Sequence, residues 1–292
     1  MGVHKVRIQQ LVWLLALGLA IPTLPSFGQE QKAGQEQDST ASRQLSWDEQ
    51  EEFLKEAKSQ DKKRNEDGVT GTLVVTLVGE DGFTHQASFQ SIDQFKQVFQ
   101  PPHGPTQFGF KDTYKYNIAA WRLAREIGLG DMVPPSVRRK YSGDTGAMTW
   151  WVDDVLMEER ERLEKKIDPP DQEAWRQQMA LVRVFDQLIE NTDRNQGNLV
   201  IDKDWHIWMI DHTRAFRRMD EPEKPAVLSM IDRTVLGRLR LLNKDKLKKL
   251  MGNNLTNAEI EPLLKRRDKI VERFDSMGTD ALFSRTAAAE GE

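Results

Sequence analysis

The sequence predicts an α+β fold in two parts, a small strand-rich lobe followed by a larger helical lobe. Two segments rich in β-branched and aromatic residues, "GTLVVTLVGEDGFTHQASF" and "MVPPSVRRKYSGDTGAMTWWV", each enclose a turn sequence and predict hairpins. Between them, "YKYNIAAWRLAREIGL" has apolar residues at helical spacing. Amphipathic helical segments dominate the chain after residue 153, with one short hairpin among them.

The first 28 of the 292 residues have the pattern of a secretory signal peptide. Lys5 and Arg7 precede an apolar run over 11–24, and the small residues Ser26 and Gly28 precede a polar stretch. Cleavage near Gly28 would give an exported protein, periplasmic or secreted, with no stable membrane span. An uncleaved membrane anchor and a buried N-terminal helix are the alternative interpretations.

The remaining segments follow in order. Residues 29–45 are polar and Gln-rich and predict a disordered linker. Residues 46–68 begin with a capping box, "SWDE", and predict an N-terminal helix. The strand-rich lobe is assigned to 69–152, where "QPPHGPTQFGF" predicts a loop, and the helical lobe to 153–280. Residues 281–292 predict a disordered tail.

Composition excludes several classes of function. The net charge of −4 argues against nucleic acid as a partner. The sequence contains no cysteine, which excludes disulfides, thiolate catalysis and Cys-ligated metals.

The segment "ENTDRNQGNLVIDKDWHIWMIDHTRAF" carries the candidate chemistry. Its runs "LVI" and "HIWMI" flank the turn sequence "DKDW", so we expect a β-hairpin that brings Asn198 and Asp211 together. A carboxamide and a carboxylate that converge in this way suit Mg²⁺. Asp193, five residues before Asn198, could orient or deprotonate a hydroxyl.

Two other interpretations exist for this segment. An EF-hand loop fails because Gln196 stands where that loop needs glycine and Asp202 where it needs glutamate. Alternatively, the acidic and amide side chains only cap the helix and shape the turn of a structural hairpin.

The run "FDQLIENTDRNQGNLVIDKDWHIWMIDHTRAF" resembles the atypical kinases, a group that includes phosphatidylinositol kinases, HipA-type toxin kinases and the secretory-pathway Golgi casein kinase family. These carry a pattern similar to D-x-L-I-x-N-x-D-R-x-x-x-N, followed by I-D-x-x-x-A-F. The segment "IAAWRLAREIGLGDMVPPSVRRK" also looks like bacterial members. The resemblance extends over about residues 70 to 275 and implies a bilobal protein-kinase-like fold.

The resemblance implies a role for each candidate residue. Asp193 would be the catalytic base, and Asn198 and Asp211 would hold Mg²⁺ or Mn²⁺ beside ATP. Further residues would surround the nucleotide, although ordinary core packing explains the tryptophans as well: Trp150, Trp151, Val152, Met209 and Ile210.

The sequence departs from the kinase pattern at the phosphate-binding ion pair. Gln90 stands at the position of the strand lysine and Asn117 at that of the helix glutamate. A paired change is coherent, because losing one charge alone would leave its partner uncompensated. Lys96, Lys111 or Lys115 could supply a substitute charge.

Two hypotheses follow. In the first, the protein is an exported phosphotransferase that acts on a protein, lipid or glycan acceptor of unknown identity, by phosphoryl or less conventionally nucleotidyl transfer. In the second, it is a pseudokinase or binding scaffold.

Overall fold

The structure is a computed structural model that describes residues 44–64, 72–101 and 106–285. The first part of the chain, with the strand-rich lobe and helix α2, comprises α1 (Trp47–Glu56), β1 (Lys58–Arg64), β2 (Leu73–Val78), β3 (Thr84–Gln90), β4 (Asp93–Phe99), β5 (Gln107–Thr113), α2 (Lys115–Ile127), β6 (Ser136–Tyr141) and β7 (Asp144–Trp150). The helical lobe comprises β8 (Val155–Glu158), α3 (Glu159–Glu164), α4 (Gln172–Ile189), β9 (Leu199–Asp202), β10 (Ile207–Met209), β11 (Ile231–Asp232), α5 (Arg233–Leu241), α6 (Lys244–Met251), α7 (Asn257–Met277) and β12 (Leu282–Phe283).

The strand-rich lobe is built on a five-stranded antiparallel sheet with the order β1-β2-β3-β7-β6. Both predicted hairpins, β2–β3 and β6–β7, are present in it. Alternate residues of its strands face one side and pack with Leu54 of α1 into a small apolar core. Gly146 of β7 lies so close to β3 that a Cβ atom there would clash with the carbonyl oxygen of Gln90.

The prediction of an N-terminal helix over 46–68 is wrong from Ala57 to Arg64, and residues 65–68 lie outside the described ranges. The capping box at Ser46 is present, but the helix ends at Glu56 and β1 pairs with β2 along the sheet edge. The run "KSQDKKR" is polar throughout and its first four residues are exposed at the sheet edge, so the sequence has no alternating apolar face that would predict a strand.

Strand β5 takes up the last residues of "QPPHGPTQFGF", the segment predicted to be a loop, and pairs with β4 in a two-stranded ribbon. Strands β4 and β5 pair from Asp93↔Thr113 to Phe99↔Gln107. Phe95, Val98 and Phe108 on this ribbon are exposed to solvent.

Helix α2 belongs to the core of the helical lobe, although it lies between strands of the sheet in sequence. It ends at Gly128, whose φ of 85° is the left-handed conformation that glycine adopts readily. Its side chains at Trp121, Leu123 and Ile127 are fully buried in the same apolar cluster as α4, α5, α6 and α7. The boundary assigned at residue 152 therefore divides the sequence but not the core.

The helical lobe packs α4 against α7 and carries a small sheet of order β10-β9-β8. Buried Arg266 of α7 donates hydrogen bonds to the carbonyl oxygens of Leu188 at 2.9 Å and Arg217 at 3.0 Å, and this burial lowers its pKa to about 10. Glu190 caps α4 in a left-handed conformation, with φ of 50°.

The predicted disordered tail is wrong over its first residues. Strand β12 pairs in parallel with β11, and Arg285 contacts Asp131 at 3.1 Å. The predicted signal peptide, most of the linker and the remainder of the tail lie outside the described residues. Within the described ranges, every helix is too short or too polar to cross a bilayer.

Candidate active site

A cavity of about 830 Å³ lies between the five-stranded sheet and the helical lobe, within the volume range of small-molecule sites. Its walls come from β3, α2, the segment after β7 and the β9–β10 hairpin. All ten residues predicted for the site line this cavity: Gln90, Asn117, Trp150, Trp151, Val152, Asp193, Asn198, Met209, Ile210 and Asp211.

The β9–β10 hairpin brings the two predicted metal ligands together. Its strands pair from Leu199↔Met209 to Ile201↔Ile207, and the amide of Ile210 donates to the carbonyl oxygen of Asn198 at 3.1 Å. Asn198 therefore lies directly across from the residue that precedes Asp211, which is the arrangement that the sequence predicts.

Asp193 lies on the loop between α4 and this hairpin. Its backbone amide donates to Asn191 Oδ1 at 3.2 Å, an Asx turn that orients the loop. The Asp193 carboxylate is 47% exposed and contacts Arg214 Nη1 at 3.1 Å. It is therefore accessible to a molecule that enters the cavity.

Arg194, which the sequence reasoning did not single out, organises this loop. Its guanidinium donates to Asp186 at 3.0 Å, to the carbonyl oxygens of Asn198 at 2.8 Å and Ile210 at 2.7 Å, and to His212 Nε2 at 2.9 Å. One planar cation thus joins both ends of the hairpin to α4. The signal was present in the motif, where Asp186 and Arg194 occupy two of its fixed positions.

His212 is buried and neutral in this network. Burial, with a smaller contribution from the charge of Arg194, lowers its pKa well below the usual histidine value. Because the guanidinium can only donate, Nε2 of His212 is the acceptor and Nδ1 carries the proton.

A chain of neutral amides replaces the expected ion pair. Asn117 Oδ1 accepts from the His212 amide at 2.7 Å, so its Nδ2 faces Gln90 and donates to Oε1 at 2.5 Å. Gln90 Nε2 then donates to Thr72 Oγ1 at 3.0 Å. Hydrogen bonds between uncharged groups therefore link strand β3, helix α2 and the residue after Asp211. A lysine–glutamate pair would link the strand and the helix through charge instead.

The three lysines considered as substitutes lie elsewhere. Lys111 contacts Glu259 at 2.5 Å and Lys115 contacts Asp93 at 2.7 Å. Lys96 lies 4.8 Å from the ring of Phe99. Among the described residues that line the cavity, the cationic side chains are Arg160 and Arg214.

The segment after β7 combines packing with cavity lining. The Trp150 ring stacks on His85 at 3.6 Å, so packing within the strand-rich lobe explains this tryptophan. The backbone amides of Trp150 and Trp151 donate to Pro135 and Gln86. Val152 follows them in sequence and lines the same cavity as Met209 and Ile210.

Asp211 is a largely buried carboxylate with no ion-pair partner within 4 Å among the described side chains. Burial is the main cause that raises its pKa, and the neighbouring charges of Asp112 and Asp193 add to it, whereas hydrogen bonds from Thr213 lower it. The φ of Asp211 is 52°, a left-handed conformation that a non-glycine residue adopts rarely. A divalent cation would supply the missing counter-charge, and the oxygen donors of Asn198 and Asp211 fit such an ion.

No family model matches the sequence, and no curated protein is similar to it. Solved structures are similar to the described chain. Hydra Fam20 with sugar has a TM-score of 0.59 at 16% identity, over 80% of this chain and 91% of that one. The Golgi casein kinase has 0.57 at 15%, over 82% and 80%.

A second structure of the Golgi casein kinase, with Mn/ADP bound, has a TM-score of 0.58 at 14% identity, over 82% of this chain and 78% of that one. At such low identity the likeness bears on the fold. The chain therefore has the atypical protein-kinase-like fold of the Golgi casein kinase and hydra Fam20, with a strand-rich N-terminal lobe and a helical C-terminal lobe.

Proposed function

We propose that the protein is a phosphotransferase that moves the γ-phosphoryl group of ATP to a hydroxyl of a protein, lipid or glycan acceptor. The observation that carries this proposal is the meeting of Asp193, Asn198 and Asp211 at one cavity in a kinase-like fold. A fold neighbour, the Golgi casein kinase, has been solved with Mn/ADP bound, which supports ATP with Mg²⁺ or Mn²⁺ as the ligand pair.

In this proposal, Asp193 accepts the proton of the acceptor hydroxyl. The acceptor oxygen forms a bond to the γ-phosphorus while the bond from that phosphorus to the bridging oxygen of ADP breaks. The exposure of Asp193 beside the cavity leaves room for a hydroxyl within hydrogen-bond reach.

Asn198 and Asp211 would hold the divalent cation, which would neutralise phosphate charge when it is bound. Arg194 positions both residues through the carbonyl oxygens of Asn198 and Ile210. Trp151, Val152, Met209 and Ile210 would border the adenine, since they form the apolar wall of the cavity.

A test measures thermal stability with ATP or ADP, with and without Mg²⁺ or Mn²⁺, beside the variant Asp211→Ala. A ligand at about 100 times its Kd stabilises the folded state by roughly 2.7 kcal/mol. We expect a metal-dependent shift that Asp211→Ala abolishes. In parallel, incorporation of labelled phosphate into the protein or an added acceptor should require Asp193, and Asp193→Asn is the variant to compare.

The neutral amides Gln90 and Asn117 favour a second candidate, a pseudokinase that binds a nucleotide or a partner without transferring phosphate. Nucleotide-dependent stabilisation of the wild type without any turnover supports it. Turnover by the wild type contradicts it. If no nucleotide changes the thermal stability, the protein is instead a scaffold whose cavity binds no nucleotide.

Export of the protein is a proposal from the sequence of residues 1–28. It predicts that the mature protein begins near Gln29, which mass spectrometry of the protein from its native host measures. A mature chain that retains Met1 would contradict cleavage.

A further inference from the structure

Among the described residues, the sheet directs no cation into the cavity, where a kinase-like site normally directs one at phosphate. Gln90 and Asn117 satisfy each other as amides, and the nearby lysines are held outside the cavity by Glu259, Asp93 and the ring of Phe99. The carboxylates of Asp193 and Asp211 meanwhile face the same cavity. A polyphosphate would therefore meet negative charge unless another cation offsets it.

Arg214 lies three residues after Asp211 and lines the cavity, and a buried carboxylate anchors its guanidinium. Its Nε donates to Asp112 Oδ2 at 2.8 Å, and Asp112 of β5 is only 2% exposed. This anchor fixes one edge of the guanidinium, whose carbon lies 5.5 Å from the centre of the Phe110 ring. Nothing else in the cavity provides a cation with a buried anchor, as far as the described residues extend.

The other edge of the Arg214 guanidinium is available to a ligand. Nη1 contacts the exposed carboxylate of Asp193 at 3.1 Å, and Nη2 has no hydrogen-bond partner among the described residues. A planar guanidinium with free donors binds two phosphate oxygens at once, which an ammonium group cannot do. Its contact with Asp193 places it where the proposed transfer takes place.

Arg160 is the other cation of the cavity, and its setting differs. It is exposed, and its Nη2 lies 3.5 Å from Oδ1 of Asn195, on the segment that precedes Asn198. No carboxylate anchors it within 4 Å among the described side chains. Its guanidinium therefore must lose more side-chain entropy than Arg214 to hold a phosphate.

We propose that Arg214 binds the terminal phosphate of the nucleotide in place of the strand lysine, with Asp112 as its positioning residue. The inference rests on the proposed function, since it assigns a residue to the phosphate end of the same site. Arg214 neither gives nor takes a proton. It exchanges its contact with Asp193 for phosphate oxygens, which also leaves the Asp193 carboxylate available to the acceptor hydroxyl.

The test is calorimetric binding of ATP with Mg²⁺, of adenosine and of tripolyphosphate to the wild type and Arg214→Gln. We expect Arg214→Gln to weaken ATP and tripolyphosphate by about tenfold or more and adenosine by less than about twofold, because a charge-assisted bidentate contact is lost. Arg214→Lys should recover part of the ATP affinity. Arg176→Gln is the matched control, because Arg176 is an exposed arginine on α4 that pairs with Glu173 outside the cavity.

Arg214→Gln leaves Asp112 buried without its partner, so the double variant Asp112→Asn with Arg214→Gln, which removes both charges, is measured beside it. ATP affinity within about twofold of the wild type in both variants overturns the inference. Equal losses for ATP and adenosine overturn it too, since they indicate a general distortion.

Failure of the proposed function gives a different result. A wild type that binds neither ATP nor adenosine contradicts the proposed function. In that case the binding of tripolyphosphate still tests whether Arg214 binds phosphate. Binding of tripolyphosphate that Arg214→Gln abolishes supports the inference, and a wild type that binds no tripolyphosphate overturns it.

Discussion

Two residues of the site, Asp211 and Arg194, are expected to change the stability of the ligand-free protein in opposite directions. Asp211 is a carboxylate in a largely buried, left-handed position, and the structure raises its pKa by burial. Arg194, one residue after the candidate base, has the reverse character, because nearly every donor of its guanidinium is satisfied by Asp186, two carbonyl oxygens and His212. The first residue is expected to reduce the stability of the ligand-free protein and the second to increase it.

Asp211→Asn should stabilise the ligand-free protein near neutral pH. Since the folded-state pKa of Asp211 is raised, its ionisation disfavours the folded state as pH rises above the unfolded pKa, and below both pKa values the penalty vanishes. We expect the melting temperature to rise by about 2–4 °C near neutral pH, with no gain at about pH 3. A melting temperature that falls at neutral pH would contradict the assignment of an unpaired charge.

Arg194→Met should destabilise the protein by about 3–5 kcal/mol, because it leaves Asp186 buried without its partner. Urea unfolding measures the change. The control is Arg176→Met, which breaks the exposed pair with Glu173 and should change the free energy of unfolding by less than about 0.5 kcal/mol. Equal effects in the two variants would show that Arg194 does not organise the hairpin.

At the scale of elements, the sequence indicated the hairpins and the long helices because their patterns are local. The hairpin that carries the site is specified within the residues from 199 to 209 by two apolar runs and a turn. By contrast, β1 could not be distinguished from a continuing helix, since "KSQDKKR" has neither period and becomes a strand by pairing with β2. The ordered start of the tail likewise depends on a distant partner, β11.

The amide link between β3 and α2 should behave as one coupled unit. We expect Gln90→Lys with Asn117→Glu to be more stable than the sum of the single variants by about 1–3 kcal/mol, because each new charge then meets its counterpart. A double-mutant cycle by urea unfolding measures this coupling. Additivity within about 0.5 kcal/mol would show that the two side chains do not face each other. A gain of phosphate transfer in the double variant would indicate that the protein derives from an active enzyme and has lost its activity.

Across the whole molecule, the site residues lie together because three separate parts of the sequence meet at one cleft. The hairpin motif predicted its own geometry, whereas the convergence with Gln90 and Asn117 followed from the resemblance to kinases rather than from any local pattern. The roles of Arg214 and Asp112 could not be predicted, because Asp112 lies on β5 and the sequence predicts a loop where this strand begins.

Native-state hydrogen exchange should divide the chain by core and not by sequence order. The buried side chains of α2 share the cluster of α4 and α7, so its amides should open with those of α4 and later than those of β2 and β3. The ribbon β4–β5, which exposes Phe95 and Phe108, should exchange first. Exchange of α2 together with the sheet would contradict this arrangement.

The burial of α2 in the core of the helical lobe also limits how the protein could change between an active and an inactive conformation. A rotation of this helix away from the cleft would uncover Trp121, Leu123 and Ile127, at about 2 kcal/mol for each side chain. At equilibrium, on the order of one molecule in 10⁴ would then have this helix displaced. Under the proposed function, such a protein would have almost no inactive population for an activator to recruit, and its output would follow the concentrations of nucleotide and acceptor.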